Sequence, residues 1–257
     1  MFTDKIIYCP CDDAESNFCQ YFIDNIEKLK YNKVVMTKYN KITGIGKISY
    51  ILPRADSSIV SVKSYSLAGD GDFRSSECTA IRDSADFIIT NPPFSLWREF
   101  YNWAKKAPNM LIMANLNTIF SKDIFPDLVE HKIWCGASSG KMIFDQPDKS
   151  SKTMNNVVWI TNIHHRSNPE LQLKKNSSDY TYFDNQPIIN IDRYKDIPEN
   201  YTGIIGVPIS FLPKINYNQF TIIGEAHHGS DNKYDLFKPI VGGKEKYTRL
   251  LIQRKDK

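Results

Sequence analysis

No stretch of this 257-residue chain is apolar for long enough to cross a bilayer. Nor does Met1-Phe2-Thr3-Asp4-Lys5 read as an export leader, because the apolar run behind it is short and gives way to charge. A soluble, cytoplasmic protein with no membrane partner is expected. The five cysteines, Cys9, Cys11, Cys19, Cys78 and Cys135, form no C-x-x-C pair. Their odd number, with no export signal, argues against a disulfide framework and for reduced thiols. Cys9 and Cys11 sit at C-x-C spacing with no second pair nearby, so they are expected as buried strand thiols rather than metal ligands. His164-His165 and His227-His228 add no metal site: neighbours on a strand point to opposite faces, so surface or loop positions are the better reading. Internal repeats and low-complexity tracts are absent. Glycine is missing where a nucleotide loop would use it, from Pro10 through Phe18.

What is present is enough for one large α/β domain or a core with a smaller lobe: 41% of residues are hydrophobic and the mean hydropathy is -0.42. The formal net charge is +4. The first 130 residues hold 15 Lys+Arg against 16 Asp+Glu, and the rest hold 18 against 13. Such asymmetry speaks to partners, not fold, and fits a near-neutral core followed by a region facing a polyanion, with a solvated charged surface as an equal alternative. The expected division is a cofactor-binding catalytic core over 1–135, and remaining core strands with a nucleic-acid recognition region over 136–257.

Lys5–Cys9 reads as a first strand, Ser16–Tyr31 as a helix with Ser16 as its cap, and Lys33–Thr37 as a second strand. This β-α-β opening implies parallel pairing. Ile48–Leu52 and Ile59–Tyr65 read as a hairpin inserted in the core. Gly69–Phe73 is a loop and Ala85–Thr90 a strand. Leu96–Lys106 is an amphipathic helix ended by Pro108, and Met110–Ala114 a buried strand. Ile119–Glu130 is expected to be partly helical, with a break near Pro126. Beyond residue 135 the texture turns polar. Strand signals return at Val157–Thr161, Gly203–Ile209 and Phe220–Ile223, and Lys174–Ser178 reads as a loop.

The densest chemistry lies at Asn91-Pro92-Pro93-Phe94, which closes the apolar run Asp86–Thr90. The two prolines lock the backbone and carry no N–H, leaving carbonyls to accept from outside the chain. Asn91 adds a neutral acceptor and Phe94 a flat apolar face. These suit a planar ring bearing an exocyclic amino group, and the tetrapeptide resembles that of methyltransferases acting on planar nitrogen. A plain proline turn after a core strand is the competing reading.

A nucleotide-type cofactor in such a sheet sits at the carboxyl ends of the strands. Asp12, Asp13 and Glu15 could hold the cationic amino end of S-adenosylmethionine (SAM), and acidic residues here disfavour a phosphate ligand. Carboxylates capping a helix N-terminus remain an equal alternative. After the second strand, Thr37 or Asn40 stands where an acidic ribose ligand is usual. Asp72 could accept from an adenine amino group with Phe73 against the ring, unless Asp-Gly-Asp is a simple turn.

Taken together, Tyr8-Cys9-Pro10-Cys11-Asp12-Asp13 with Ser16-Asn17-Phe18, Gly69–Ser75, Asn91–Ser95, and Gly206–Ile209 with Phe211-Leu212 resemble, in order, the EcoRI-type adenine-specific DNA methyltransferases. The resemblance spans most of the chain. It implies a Rossmann-like SAM-dependent methyltransferase fold, with a mostly parallel twisted sheet, an inserted hairpin and a C-terminal DNA-recognition region. It places Pro10, Asp12, Asp13, Asn17, Phe18, Thr37, Asp72, Phe73 and Asn91 at the cofactor, and Asn91, Pro92, Pro93 and Phe94 at the catalytic loop. Relatives carry a further segment with an aromatic-Thr element before the first strand; here either Phe2-Thr3 is a remnant of that element, or it is missing.

The activity so implied is methyl transfer from SAM to N6 of a flipped adenine in a specific double-stranded DNA sequence, without a metal. Candidate DNA contacts are Lys141, Lys149, Lys152, Arg166, Lys174 and Lys175, each expected to meet phosphate before base. A cognate restriction endonuclease or an accessory subunit is the implied partner. The alternatives are an amino methyltransferase acting on RNA or on protein glutamine, or a catalytically impaired DNA-binding relative.

Overall fold

The computed structural model describes residues 2–53, 60–145, 150–163, 168–174, 179–184, 186–229 and 232–255. The chain divides into two compact units, Met1–Ala114 with Ile160–Ile163, and Asn115–Trp159 with His164–Lys257. The fold is α/β with a large mixed sheet, as expected at that level.

In the first unit six strands lie in the order β4-β3-β2-β1-β5-β6: β1 Ile6–Pro10, β2 Lys33–Lys38, β3 Lys47–Pro53, β4 Val60–Ser66, β5 Phe87–Thr90 and β6 Asn109–Asn115. β1 pairs in parallel with β2 and with β5, and β5 in parallel with β6. The hairpin is present, and β3 and β4 extend the sheet antiparallel from β2. Residues 160–163 lie against β6, where the Thr161 hydroxyl donates to the Met110 carbonyl at 2.7 Å. From β1 the chain builds outward one way to β2, and from β5 the other way to β6. The carboxyl ends of β1 and β5 therefore flank the point where strand order reverses, the usual place for a ligand in such sheets.

Alternation along β1 explains why the sheet is covered on both faces. Ile7 and Cys9 join Phe22, Val34, Met36, Ile51, Phe87 and Ile89 in one buried cluster. Tyr8 points the other way and meets Trp103 edge-on at 6.3 Å. The helix expected over 16–31 is two pieces, α1 Asn17–Asp24 and α2 Ile26–Leu29, broken at Asn25. Ser16 caps the first by accepting from the Cys19 N–H at 3.1 Å. A helix not foreseen, α3 Ser76–Ser84, starts at Ser75, whose hydroxyl accepts from the Cys78 N–H. The helix after the proline turn, α4 Trp97–Ala104, follows a 3-10 turn over Phe94–Leu96. Phe2 packs edge-on against Phe87 at 4.9 Å.

In the second unit α5 Phe125–Val129 carries Pro126 in its first turn. The expected break is corrected: a proline there forfeits no helical hydrogen bond and starts the helix. The polar stretch after residue 135 forms two long strands, β7 Trp134–Asp145 and β8 Ser151–Thr161. The first six residues of β8 include no buried side chain, so they carried no apolar signal. A four-stranded sheet in the order β11-β14-β10-β9 closes the unit, from β9 Ile189–Asn190, β10 Ile205–Pro208, β11 Phe220–Ala226 and β14 Arg249–Arg254. A short hairpin, β12 Ile240–Val241 with β13 Lys244–Glu245, stands apart. No helix among the described residues is long and apolar enough to cross a membrane.

Candidate active site

Four segments meet at the carboxyl ends of the first unit's parallel strands: the turn after β1, the end of β2, the loop before α3, and the tip of β5. The turn after β1 shows how a loop without glycine makes its bend. Cys11 takes φ +69, the left-handed conformation glycine ordinarily supplies, and the Asp12 N–H then bonds the Thr37 carbonyl at 3.1 Å. Cys9 is buried in β1, as expected. Cys11 is exposed on the bend, which corrects the expectation of a second buried strand thiol, because the strand ends at Pro10.

The two carboxylates of this turn have different partners. Partial burial pushes the Asp13 carboxyl up, but hydrogen bonds from Lys38 and the Glu15 N–H outweigh it and hold the group below the ordinary range. Asp12 meets no such cation among the described residues. Its carboxylate bonds the Thr90 hydroxyl at 2.8 Å and the Ser16 side chain, and burial pushes it up to about 7. Glu15 is exposed; Asn17 is exposed at the start of α1, and Phe18 packs half-buried on the core beneath.

The loop before α3 is pressed onto the end of β2. A Cβ on Gly71, at φ +81, would lie 2.5 Å from the Lys38 carbonyl oxygen. The Asp72 carboxylate takes bonds from the Arg74 guanidinium at 2.7 and 2.9 Å, which hold its pKa down. Arg74 also reaches Glu99 of α4 at 2.6 Å. The Phe73 ring is 5% exposed and sits edge-on to Phe100 and Trp103, with the Arg74 guanidinium 5.3 Å from its centroid. Thr37 is buried and its hydroxyl bonds Tyr8 at 2.7 Å, so it meets the turn after β1 through its carbonyl. The Asn40 side chain accepts from the Ile42 and Thr43 N–H groups.

At the tip of β5, Pro92 is buried, Pro93 exposed, and Asn91 and Phe94 half-buried. The Asn91 Oδ1 atom is buried and has no hydrogen-bond partner among the described residues, and the same holds for Trp97 Nε1 at the start of α4. A buried amide oxygen without a donor is costly, by about 1–3 kcal/mol, and calls for an explanation.

The adenine-specific methyltransferase EcoRI family model matches residues 1–255. The chain belongs to that family. It is 35% identical to the Type II methyltransferase M.EcoRI of Escherichia coli over 292 aligned residues, covering 99% of this chain and 87% of that protein. Identity is 27% to Type II methyltransferase M.MgeORF184P of Mycoplasma genitalium and 25% to M.MpnI of Mycoplasma pneumoniae; each match covers 99% of this chain, and 90% and 89% of those proteins. No solved structure matches. The enzyme class read from the residues, a site-specific adenine DNA methyltransferase, therefore stands.

Sequence reasoning passed over Thr90, Cys11, Lys38 and Arg74. A polar residue at the end of an apolar strand beside the motif was the available signal for Thr90. Of the basic candidates, Lys152 is exposed on β8 and Lys174 is exposed beside Pro198. The backbone of Lys141 lies in β7, and Lys149, Arg166 and Lys175 fall outside the described residues, as do His164 and His165. His227 and His228 lie exposed on a loop, with His227 Nδ1 2.6 Å from the Thr248 hydroxyl.

Proposed function

We propose that this chain is a Rossmann-like, SAM-dependent enzyme that methylates N6 of a flipped adenine in a specific duplex DNA sequence, with its site at the tips of β1 and β5. The observation that carries this reading is the buried Asn91 Oδ1 with no donor of its own, on a proline-locked turn at the strand-order reversal. A buried acceptor without a donor among the described residues is suited to an amino hydrogen arriving with a substrate.

The donor site fits a cation. Asp12 presents a half-buried carboxylate without a cationic partner among the described residues, and Cys11 gives the turn the left-handed bend that a glycine-free loop needs. Pro10, Asp13, Asn17, Phe18 and Thr37 belong to that turn and its floor, and Asp72 and Phe73 would meet the adenine end of the donor from the loop before α3. SAM would supply a methyl group on a sulfonium; the protein's part is to aim the acceptor. Asn91 Oδ1 and the Pro92 carbonyl accept the two amino hydrogens, which draws the nitrogen lone pair out of conjugation, Pro93 keeps the turn rigid, and Phe94 stacks on the base. The target atom is inside a duplex, so the base must leave the stack. No side chain in this scheme requires a metal.

In this reading residues 1–135 form the SAM-binding catalytic core, and 136–257 hold the remaining core strands and the target-recognition region. Lys141, Lys149, Lys152, Arg166, Lys174 and Lys175 stay its proposed phosphate contacts; Lys152 and Lys174 have the exposure such contacts need. A cytoplasmic enzyme paired with a restriction endonuclease or accessory subunit fits the same reading. The test is incubation with labelled SAM and plasmid DNA followed by nucleoside analysis. N6-methyladenine is expected; label in RNA or in protein glutamine instead, or no binding of SAM by calorimetry, would refute it.

A further inference from the structure

We propose that Thr90 is a positioning residue for methyl transfer: its hydroxyl fastens the turn after β1 to the tip of β5, and so sets the donor and acceptor sites relative to each other. This rests on the site reading above. Thr90 is completely buried, at 0% exposure, and is the last residue of β5 before Asn91. Its hydroxyl reaches both the Pro10 carbonyl and Asp12 Oδ2, the latter at 2.8 Å. Both partners lie about 80 residues away along the chain. Among the described hydrogen bonds, these are the side-chain bonds that join residues 10–13 to β5.

A hydroxyl has one hydrogen and here faces two acceptors. The three oxygens are satisfied together when Asp12 carries a proton, donates it to Thr90, and Thr90 donates to Pro10. When Asp12 is ionised, Thr90 turns its hydrogen to the carboxylate. Burial pushes the Asp12 carboxyl up to about 7, the bonds from Thr90 and Ser16 draw it down, and Asp13 beside it raises it again. The other groups in its field are the thiols of Cys9, Cys11 and Cys19. Lys38 and Lys47 are the cations acting on the neighbouring Asp13, and Lys38 is paired directly with it. A cationic donor favours the ionised form, so affinity for SAM should rise as the pH rises through about 7. Removing the Thr90 hydroxyl withdraws a bond that favours the carboxylate, so the midpoint of that rise should move to higher pH.

Thr90→Val keeps the shape and deletes the hydroxyl. Transfer of labelled methyl to plasmid DNA should fall on the order of 10²-fold in kcat, since a small misplacement of reacting groups has that effect, while the KM for DNA stays within about threefold. Thr90→Ser should restore kcat to within about threefold of the parent. SAM calorimetry across about pH 6 to 9 should show the Val midpoint displaced upward. A Val variant with parental kcat, an equally impaired Ser variant, or an unmoved midpoint overturns the proposal. If Val does not fold, Thr90→Ala is read in the same way. Asn91→Ala serves as the control: undiminished transfer there would sink the site reading itself, whereas an inactive Asn91→Ala beside a fully active Thr90→Val sinks only the role of Thr90.

Discussion

The turn after β1 and the tip of β5 meet through one hydroxyl, yet they are built by opposite means. The tip takes its rigidity from covalent structure, two prolines in succession, and its buried amide oxygen has no partner among the described residues. The turn has no such constraint. It is held by a hydrogen bond on each carboxylate, a left-handed Cys11 and a backbone bond to β2. A site that must accept a neutral amine can leave an amide oxygen unfilled, at about 1–3 kcal/mol. A site that must accept a cation needs a charge, and a charge left alone in a half-buried place takes up a proton instead. Asp12 shows the second outcome, and Asp13, compensated by Lys38, shows how it is avoided.

The largest expected effect is at the tip. Asn91→Ala should lower methyl transfer by at least about 10²–10³-fold while SAM binding is unchanged, since one preorganised hydrogen-bonding group is worth about that much. Calorimetry beside a transfer assay checks it; parallel loss of both would erase the distinction between the two segments. Asp12→Asn should do the reverse, weakening SAM binding and removing its dependence on pH near 7. The stability sign follows from the direction of the shift. A carboxyl raised from about 3.9 in the unfolded chain to about 7 in the folded one makes the folded state bind more protons between those values, so stability is lost as pH rises through that window. Asp12→Asn should therefore raise the melting temperature at pH 8 by a few degrees and leave it nearly unchanged at pH 4. Phe94→Ala should impair the productive flipped state about tenfold with little change in SAM affinity, read with a fluorescent base analogue at the target position. The smallest effect belongs to the bend: Cys11→Gly should be neutral or slightly stabilising in a thermal melt, whereas Cys11→Val should cost about 1–2 kcal/mol, because a β-branched side chain resists positive φ.

The proposed catalytic tip was legible because its chemistry is contiguous: strand, Asn, two prolines and an aromatic ring follow one another without interruption. The parallel opening and the β3–β4 hairpin were legible for the same reason, each announced by local periodicity and a turn. The first half of β8 was not, since a stretch without a buried side chain carries no alternation to read. α3 was hidden by its composition: over Ser76–Ser84 the apolar residues are Cys78, Ala80 and Ile81, too few for a helical stripe, and the buried positions are Cys78 and the charged Arg82. Asp12 and Asp13 looked equivalent as neighbours. Only their partners, Thr90 and Lys38, separated by 78 and 25 residues, distinguish them.

The residues alone gave the expectation that a planar amine meets Asn91 and Phe94, held no apolar stretch of membrane length, and carried the resemblance to adenine methyltransferases that the family match bears out. Those properties reside in consecutive side chains, whose chemistry does not wait for folding. Tertiary structure decided which carboxylate is left without a cation, which residue bends in place of glycine, and that Thr90 links two segments far apart in the chain. Burial and long-range pairing set each of these, and both are properties of the closed sheet.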